Sequence, residues 1–190
     1  MYRYSTPGLI QRIDPFLTWK MKKEGKPSLY LTFDDGPHPD ITPWVLNELK
    51  HYNAKATFFC VGDNVRKFPE IFKMILEQGH QVGNHTFNHL NGWKNKNEDY
   101  FSNIDQCSEW MDSQLFRPPY GKITPGQTLH LRKKDFQIIM WSVLSRDFEA
   151  DLKQSESLEA MIRDSEDGSI ILFHDSEKAW KNLEVLLPAY

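Results

Sequence analysis

The sequence predicts an α/β fold built on a parallel sheet, and three observations lead to that prediction. Strand and helix signals alternate along the chain, the strands are almost continuously apolar, and polar motifs follow five of them. Such alternation is typical of a parallel sheet covered by helices, and continuously apolar strands are typical of strands buried on both faces. A barrel and a doubly wound open sheet both fit this pattern, and both place the active site at the carboxyl ends of the strands.

Six strands are expected, each a short run rich in apolar and β-branched residues. They cover residues 28–33, 56–61, 81–83, 115–116, 136–143 and 169–173. The segments between them carry apolar residues at helical spacing, and Thr42 is expected to be the N-cap of the first helix. These helices are expected at residues 42–52, 69–78, 98–113, 124–134, 157–164 and 178–187.

The length of 190 residues is that of one main domain with a short extension. A full eightfold α/β barrel typically needs about 250 residues, so the chain is short for that fold. We assign residues 28–190 to the main domain and residues 1–27 to a partly helical lead-in that packs on it. The N-terminus has no apolar segment typical of a signal peptide, which by sequence alone predicts a cytoplasmic protein.

Charge and cysteine content exclude several classes of function. The chain has 23 Lys and Arg against 26 Asp and Glu, a net charge of −3, so no basic excess is present to bind nucleic acid. No run of 18 apolar residues is present, so no transmembrane segment is expected. Cys60 and Cys107 are expected to be buried free thiols rather than a disulfide scaffold. We expect a monomer.

Polar, titratable residues follow five of the predicted strands, and a parallel sheet gathers such strand ends at one edge. The motifs are DDGPH at 34–38, NHTFNH at 84–89, RPPYG at 117–121, SRD at 145–147 and HD at 174–175. Chance would supply one or two such endings, whereas five that converge indicate an active site.

Asp35, His85 and His89 are candidate ligands for a divalent metal. A spacing of four residues places two imidazoles on the same side of one helical turn, and one carboxylate with two histidines leaves a coordination position open for catalysis. Zn²⁺ fits this set best, and Co²⁺, Ni²⁺ or Fe²⁺ could take the same ligands. Taken singly, the histidine pair could be incidental and the DDGP segment could be a simple turn. The histidine pair follows an apolar strand in the same register as Asp35, which favours a metal site.

Other polar residues at these strand ends indicate acid–base catalysis. Asp34 could act as a general base on a metal-bound water, and His174 could protonate a leaving group. The guanidinium of Arg117 near Asp34 would keep that carboxylate ionised, whereas Asp147 could orient an arginine or a histidine. Backbone N–H groups at Tyr120 could stabilise a developing oxyanion.

Several aromatic side chains near these motifs could stack on the C–H face of a sugar. The candidates are His38, Trp93, Tyr120 and Trp141. Trp141 lies inside a predicted strand, so we expect it in the core.

Together these motifs resemble the polysaccharide deacetylases, also called carbohydrate esterase family 4 or the NodB homology domain. The resemblance runs in order through TFDDGP, HTFNH, RPPYG, SRDF and LFH, and it spans residues 28 to about 187. It implies a distorted (β/α)7 barrel in which the seventh strand follows the last helix. Because only six strands are expected here, the barrel is expected to be incomplete at its C-terminal end.

The resemblance also implies an activity and a carbohydrate substrate. The reaction would be hydrolysis of the N-acetyl group of an amino sugar in a polysaccharide such as peptidoglycan or chitin, or less often of an O-acetyl ester. Asp34 would be the general base and His174 the general acid, with Arg117 holding Asp34 and Asp147 tuning His174. The backbone N–H of Tyr120 would help to stabilise the tetrahedral intermediate. The implied metal ligands are Asp35, His85 and His89.

Two positions depart from the family pattern, and two alternative functions remain. Phe148 stands where a tryptophan is usual, and Ser142 stands where many members have an aspartate. The family usually acts at the cell envelope or outside the cell. The alternatives are a related metal-dependent hydrolase acting on a small non-sugar amide and a non-catalytic carbohydrate-binding barrel. A complete set of base, ligands and acid argues against the second alternative.

Overall fold

The computed structural model describes residues 5–6, 8, 14–22 and 25–190, and eight strands form its central sheet. They are β1 Leu17–Thr18, β2 Tyr30–Asp34, β3 Ala56–Cys60, β4 Gln81–Asn84, β5 Leu115–Phe116, β6 Gln137–Ile139, β7 Val143–Leu144 and β8 Ile170–His174. All pairings between them are parallel, in the order β1-β6-β5-β4-β3-β2-β8-β7. This arrangement confirms the predicted fold class, an α/β barrel of distorted form.

Helices fill the connections between the strands. They are α1 Ile41–His51, α2 Gly62–Lys67, α3 Pro69–Glu77, α4 Asn97–Ser108, α5 Pro125–Lys133, α6 Gln154–Asp164 and α7 Glu177–Ala189. All six predicted helices are present, and α5 begins at a capping box formed by Thr124 and Gln127. The sequence missed α2, because its six residues include Val65 as their only large apolar side chain. Thr42 is not the N-cap of α1, since that position belongs to Asp40.

The structure has eight strands where the sequence predicted six. β1 lies in the lead-in, where Leu17 pairs with Ile138, and the predicted strand 136–143 is divided into β6 and β7. The sequence missed β1 because a partly helical lead-in was expected there. It missed the break between β6 and β7 because residues 136–143 form one almost continuously apolar run. The remainder of the lead-in includes residues 1–4, 7, 9–13 and 23–24, which lie outside the described residues, so the proposed domain boundary stays a prediction.

Between β6 and β7 the chain passes from one end of the strand order to the other, since β6 lies next to the edge strand β1 and β7 is the opposite edge strand. β6 pairs with β5, whereas β7 pairs with β8, and residues 140–142 make the link. Backbone carbonyls at such an interruption need partners from outside the ladder. Arg117 provides them, because its Nε donates to the Ile139 carbonyl at 3.1 Å and its Nη2 to the Met140 carbonyl at 2.8 Å. We call residues 139–143 the seam of the barrel.

The alternation of side chains along β2 decides which residues reach the interior of the barrel. Phe33 stacks on Phe58 and Phe173 beneath the helices, with ring centroids 5.1 Å and 5.8 Å apart. Neighbouring residues of a strand point to opposite faces, so Thr32 and Asp34 point into the barrel instead. Both are buried, at 3% exposure each. Because Phe33 packs against the helices, the Asp34 carboxylate lies inside the barrel at the carboxyl end of β2.

The structure also describes the two cysteines and the length and character of the helices, which the sequence analysis had considered. Cys60 and Cys107 are both buried and unpaired, as predicted, and burial raises the pKa of the Cys107 thiol to about 12. Among the described residues, no helix has the length and apolar character needed to cross a membrane.

Candidate active site

Three predicted metal ligands meet beside the carboxyl ends of β2 and β4. Asp35 Oδ1 lies 3.2 Å from His89 Nε2 and 3.7 Å from His85 Nε2. One ligand atom from each of the three residues lies within 4.8 Å of the others. Donor atoms about 2 Å from a tetrahedral Zn²⁺ ion lie roughly 3.4 Å from one another, so this spacing suits one ion.

The segment from His85 to His89 is a loop, so the predicted helical turn is wrong. Thr86 and His89 have positive φ angles of 63° and 56°. These two left-handed residues bring the imidazoles together from an irregular backbone, with ring centroids 5.0 Å apart. The spacing of four therefore selected two histidines that do lie together, but a loop and not a helical turn brings them together.

Asn103 on α4 stabilises this loop, and sequence reasoning missed it. Its Oδ1 accepts hydrogen bonds from the backbone N–H groups of Phe87 and Asn88, each at 2.9 Å. The residue lies on the buried face of α4, three positions after Tyr100 and next to Ile104. A polar residue in an otherwise apolar helix face was the signal available in the sequence, because buried polar groups need partners.

His85 has the tautomer and the charge that a metal ligand requires. Its Nδ1 lies 2.8 Å from the carbonyl oxygen of Arg117, which can only accept, so Nδ1 carries the hydrogen and Nε2 presents its lone pair. Burial lowers the pKa of His85 to about 4, so the imidazole is neutral at physiological pH. Neutral imidazole is the form that binds Zn²⁺, so the donor set fits this ion.

Asp34 is a second carboxylate beside the candidate ligands, and Arg117 holds it in the predicted ion pair. Arg117 is fully buried, and its Nη1 donates to Asp34 Oδ1 and to Thr32 Oγ1, each at 2.8 Å. The other carboxylate oxygen, Oδ2, lies 3.8 Å from His85 Nε2. One oxygen of Asp34 is thus occupied by the guanidinium, and the other faces the candidate metal centre.

We expect Arg117→Lys to destabilise the protein measurably. The guanidinium serves four acceptors, two on β2 and two at the seam, whereas a lysine ammonium has three donors at a single point. Leaving buried acceptors unpaired should lower the free energy of unfolding by about 1–3 kcal/mol in urea denaturation. The exposed Arg163→Lys serves as a matched control and should change stability little. Equal stability of both variants would contradict this account.

His174 and Asp147 form the second predicted pair of the site. His174 Nδ1 lies 2.7 Å from Asp147 Oδ1, and Asp147 Oδ2 accepts from the His174 backbone N–H at 2.8 Å. Although burial opposes the charged imidazolium, the charge and hydrogen bond of Asp147 raise the pKa of His174 to about 9. The Phe148 ring packs edge-on against His174, with centroids 5.2 Å apart. His174 is therefore protonated at neutral pH.

Tyr120 contacts the site through its side chain as well as its backbone. Its φ is 60°, and its hydroxyl lies 3.1 Å from His89 Nδ1, on the far side of the ring from Asp35. The sequence had suggested the backbone N–H of this residue and a stacking role for its ring, but not a contact between its hydroxyl and His89. Ser142 is outside the site, because its hydroxyl accepts from the Ile170 N–H in the barrel wall at 3.1 Å.

The aromatic candidates for a sugar subsite differ in their surroundings. Trp93 is 61% exposed, and its Nε1 donates to the Ile123 carbonyl at 2.9 Å. The Lys122 ammonium lies 4.1 Å from the centre of the Trp93 ring. Trp141 is half-buried and packs against the core, as expected. His38 accepts from the backbone N–H groups that begin α1.

The family assignment rests on a match that covers most of the barrel. Residues 21–139 match the family model described as polysaccharide deacetylase. The chain belongs to the polysaccharide deacetylase family. This confirms the resemblance drawn from the five sequence motifs, and the matched segment includes Asp34, Asp35, both loop histidines and Arg117.

Members of the family from several bacteria are similar to this chain. A peptidoglycan-N-acetylglucosamine deacetylase of Bacillus cereus is 37% identical over 157 residues, which are 80% of this chain and 57% of that protein. A chitooligosaccharide deacetylase of Azorhizobium caulinodans is 35% identical, covering 80% of this chain and 75% of that protein. The crystal structure of the peptidoglycan N-acetylglucosamine deacetylase Bc1960 superposes with a TM-score of 0.81 and 33% identity, covering 90% of this chain and 85% of that one.

Proposed function

We propose that this protein is a metal-dependent deacetylase that hydrolyses N-acetyl groups of N-acetylglucosamine units in a polysaccharide. The observation that carries the proposal is the convergence of Asp35, His85 and His89 with the additional carboxylate of Asp34. Relatives named for deacetylation of peptidoglycan and of chitooligosaccharides support the substrate class. Zn²⁺ is the ion that the donor set fits best.

Asp34 has the position of a general base for the attacking water. Arg117 fixes one of its oxygens, which leaves Oδ2 directed towards the ligand set. A divalent cation held by Asp35 and the two histidines supplies Lewis-acid polarisation of the acetyl carbonyl. Asp34 takes a proton from the water while the water oxygen bonds to the carbonyl carbon. The backbone N–H of Tyr120 is proposed to stabilise the resulting oxyanion.

His174 has the charge that a general acid requires. Collapse of the tetrahedral intermediate breaks the C–N bond, releases acetate and leaves the sugar nitrogen in need of a proton. His174 supplies that proton, because the buried carboxylate of Asp147 keeps the imidazole protonated at neutral pH. Separate partners thus hold the two groups, Arg117 the proposed base and Asp147 the proposed acid.

We expect Asp147→Asn to move the alkaline limb of the pH–activity profile to lower pH. The protonated acid exists below the pKa of His174, and removing a carboxylate partner lowers that pKa, by about one to three units for a charge this close. The profile of kcat between pH 6 and 11 measures the shift. The same ion pair stabilises the fold fully below the ordinary histidine pKa of 6.5 and is lost as pH rises through about 9. An unchanged alkaline limb would exclude His174 as the acid.

We propose that Trp93 forms part of the sugar-binding surface, since it lies four residues after His89 and its ring is 61% exposed. The hydrogen bond to Ile123 fixes the ring before substrate arrives. Trp93→Ala should raise KM for chitooligosaccharides roughly three- to tenfold with little change in kcat. Trp93→Phe, which keeps an aromatic face, should have a smaller effect. Equal KM values for all three proteins would remove Trp93 from the site.

The decisive experiment measures acetate release by the full chain supplied with Zn²⁺ or Co²⁺. The substrates are N-acetylglucosamine oligomers, peptidoglycan, acetylxylan and simple non-sugar amides. We expect acetate from the first two, because Asp35 and His89 keep 30% and 28% of their side-chain surface exposed and so remain open to a polymer. The Asp34→Asn variant, assayed in the same way, measures how much acetate is released without the proposed base.

The outcomes separate the alternatives. Acetate from simple amides alone would favour a small-molecule amidase that uses the same site. No acetate from any substrate, with the metal bound, would favour a carbohydrate-binding barrel without catalysis. Acetate from acetylxylan alone would indicate an O-acetyl esterase.

A further inference from the structure

We propose that Asp175, together with Thr42, is a positioning residue that holds the turn following β2 so that Asp34 and Asp35 both face the site. The proposal rests on the metal site described under the proposed function. Neither residue touches the ligand atoms, and each acts through the backbone of residues 34–38. We call Asp175 and Thr42 the turn clamp.

The turn needs to be held because two adjacent carboxylates do not naturally share one face. Successive side chains of a strand point in opposite directions, so the chain must rotate immediately after Asp34. Asp35 makes this rotation with a φ of 83°, a left-handed conformation that is unfavourable for a residue other than glycine. Such a conformation persists only where surrounding contacts impose it.

Asp175 contacts the turn on both sides of Asp35. Its backbone N–H donates to the Asp34 carbonyl at 3.1 Å, and its Oδ1 accepts from the Gly36 N–H at 3.1 Å. The contact is so close that a Cβ added at Gly36 would lie 2.1 Å from Asp175 Oδ2. Glycine at position 36 therefore serves the approach of this carboxylate, and the residue between the two hydrogen bonds is the metal ligand.

Thr42 extends the clamp to the far end of the turn. Its hydroxyl donates to Asp175 Oδ2 and accepts from the His38 N–H at 2.8 Å. Thr42 and Asp175 are 0% and 1% exposed, so neither hydrogen bond competes with bulk water. Thr42 was expected to cap helix α1, but its hydroxyl forms the hydrogen bonds of the turn clamp instead.

The partners of Asp175 are those of a hydrogen-bond acceptor rather than of an ion pair. Within the described part of the chain, no cationic nitrogen of a side chain lies within 4.0 Å of its carboxylate. Burying a carboxyl group without a counter-ion is costly, and hydrogen bonds to backbone and hydroxyl donors offset that cost. An asparagine can supply the same acceptor to Gly36, whereas an alanine cannot. This difference makes the proposal testable.

The test measures Zn²⁺ affinity by calorimetry on the full chain after removal of metal. Asp175→Ala should weaken Zn²⁺ binding about 10- to 100-fold, the usual cost of losing a group that orients a metal ligand. Asp175→Asn should remain within about threefold of the unchanged protein. Thr42→Val should lie between them, and Thr42→Ser should restore binding. Ile75→Val, in the buried face of α3, is the control for general destabilisation and should bind Zn²⁺ normally.

Three results would overturn the proposal: full affinity in Asp175→Ala, equal weakening in Ile75→Val, or an asparagine variant as impaired as the alanine variant. If Asp175→Ala does not fold, the Thr42→Val and Thr42→Ser pair gives the same comparison. The calorimetry needs no substrate. Unchanged protein that binds Zn²⁺ but releases no acetate would refute the proposed activity and leave this comparison intact. Failure of the unchanged protein to bind Zn²⁺ would refute both.

Discussion

Asp34→Asn should lower kcat by about 10²- to 10⁴-fold while Zn²⁺ binding stays close to that of the unchanged protein. Asparagine cannot take a proton from water at neutral pH. Its Oδ1 can still accept a hydrogen bond from Arg117, as the Asp34 Oδ1 does at 2.8 Å in the unchanged protein. The guanidinium therefore keeps a partner, and the fold should persist. Steady-state kinetics on N-acetylglucosamine oligomers measure the loss, and calorimetry measures metal binding.

The matched control is Asp112→Asn, the same change at an exposed carboxylate away from the site. It should leave kcat and Zn²⁺ affinity unaltered. Full activity of Asp34→Asn would show that Asp34 is not the base. A simultaneous loss of Zn²⁺ from the variant would show instead that Asp34 belongs to the ligand set, since its Oδ2 lies 3.8 Å from His85 Nε2.

His85→Ala should weaken Zn²⁺ binding by more than about 100-fold and reduce deacetylation to the level of metal-free protein. It removes one of three ligands, a larger loss than that of a group outside the ligand set. It also breaks the hydrogen bond to the Arg117 carbonyl, so thermal unfolding should be followed in parallel. Zinc content after dialysis and calorimetry report the effect.

His89→Ala is the companion variant, because His89 is partly exposed and its loss should disturb the fold less. Both variants should lose the metal. His51→Ala, at an exposed histidine, should keep it. Retention of tightly bound Zn²⁺ by either ligand variant would refute the proposed centre, whatever its effect on activity.

The sequence could predict that the polar residues after the strands lie at one edge of the sheet, because parallel strands all end at that edge. A parallel sheet collects strand ends, so Asp34, His174 and Arg117 had to approach one another once their strands were identified. The pairing of Arg117 with Asp34 was also expected from the residues, because buried charges need partners. The residues left open whether Asp147 would orient an arginine or a histidine, and the family resemblance implied His174. These contacts depend on topology more than on detailed backbone geometry.

The details of the loops were not predictable in the same way. The loop from His85 to His89 depends on Asn103, which is fifteen or more residues away in sequence and acts through hydrogen bonds to backbone amides. Left-handed conformations at Thr86 and at Tyr120 have no signature in residue types that usually avoid them. β1 was missed because it lies in the segment expected to be a partly helical lead-in, and β7 was not separated from β6 because residues 136–143 form one almost continuously apolar run.

At the seam, a side chain provides hydrogen-bond donors where the backbone ladder is interrupted. The Arg117 guanidinium binds the carbonyls of Ile139 and Met140 with two of its nitrogens and holds Asp34 with the third. The same guanidinium therefore links the seam to the proposed base, so a substitution that displaces the Ile139 and Met140 carbonyls should also disturb the orientation of Asp34.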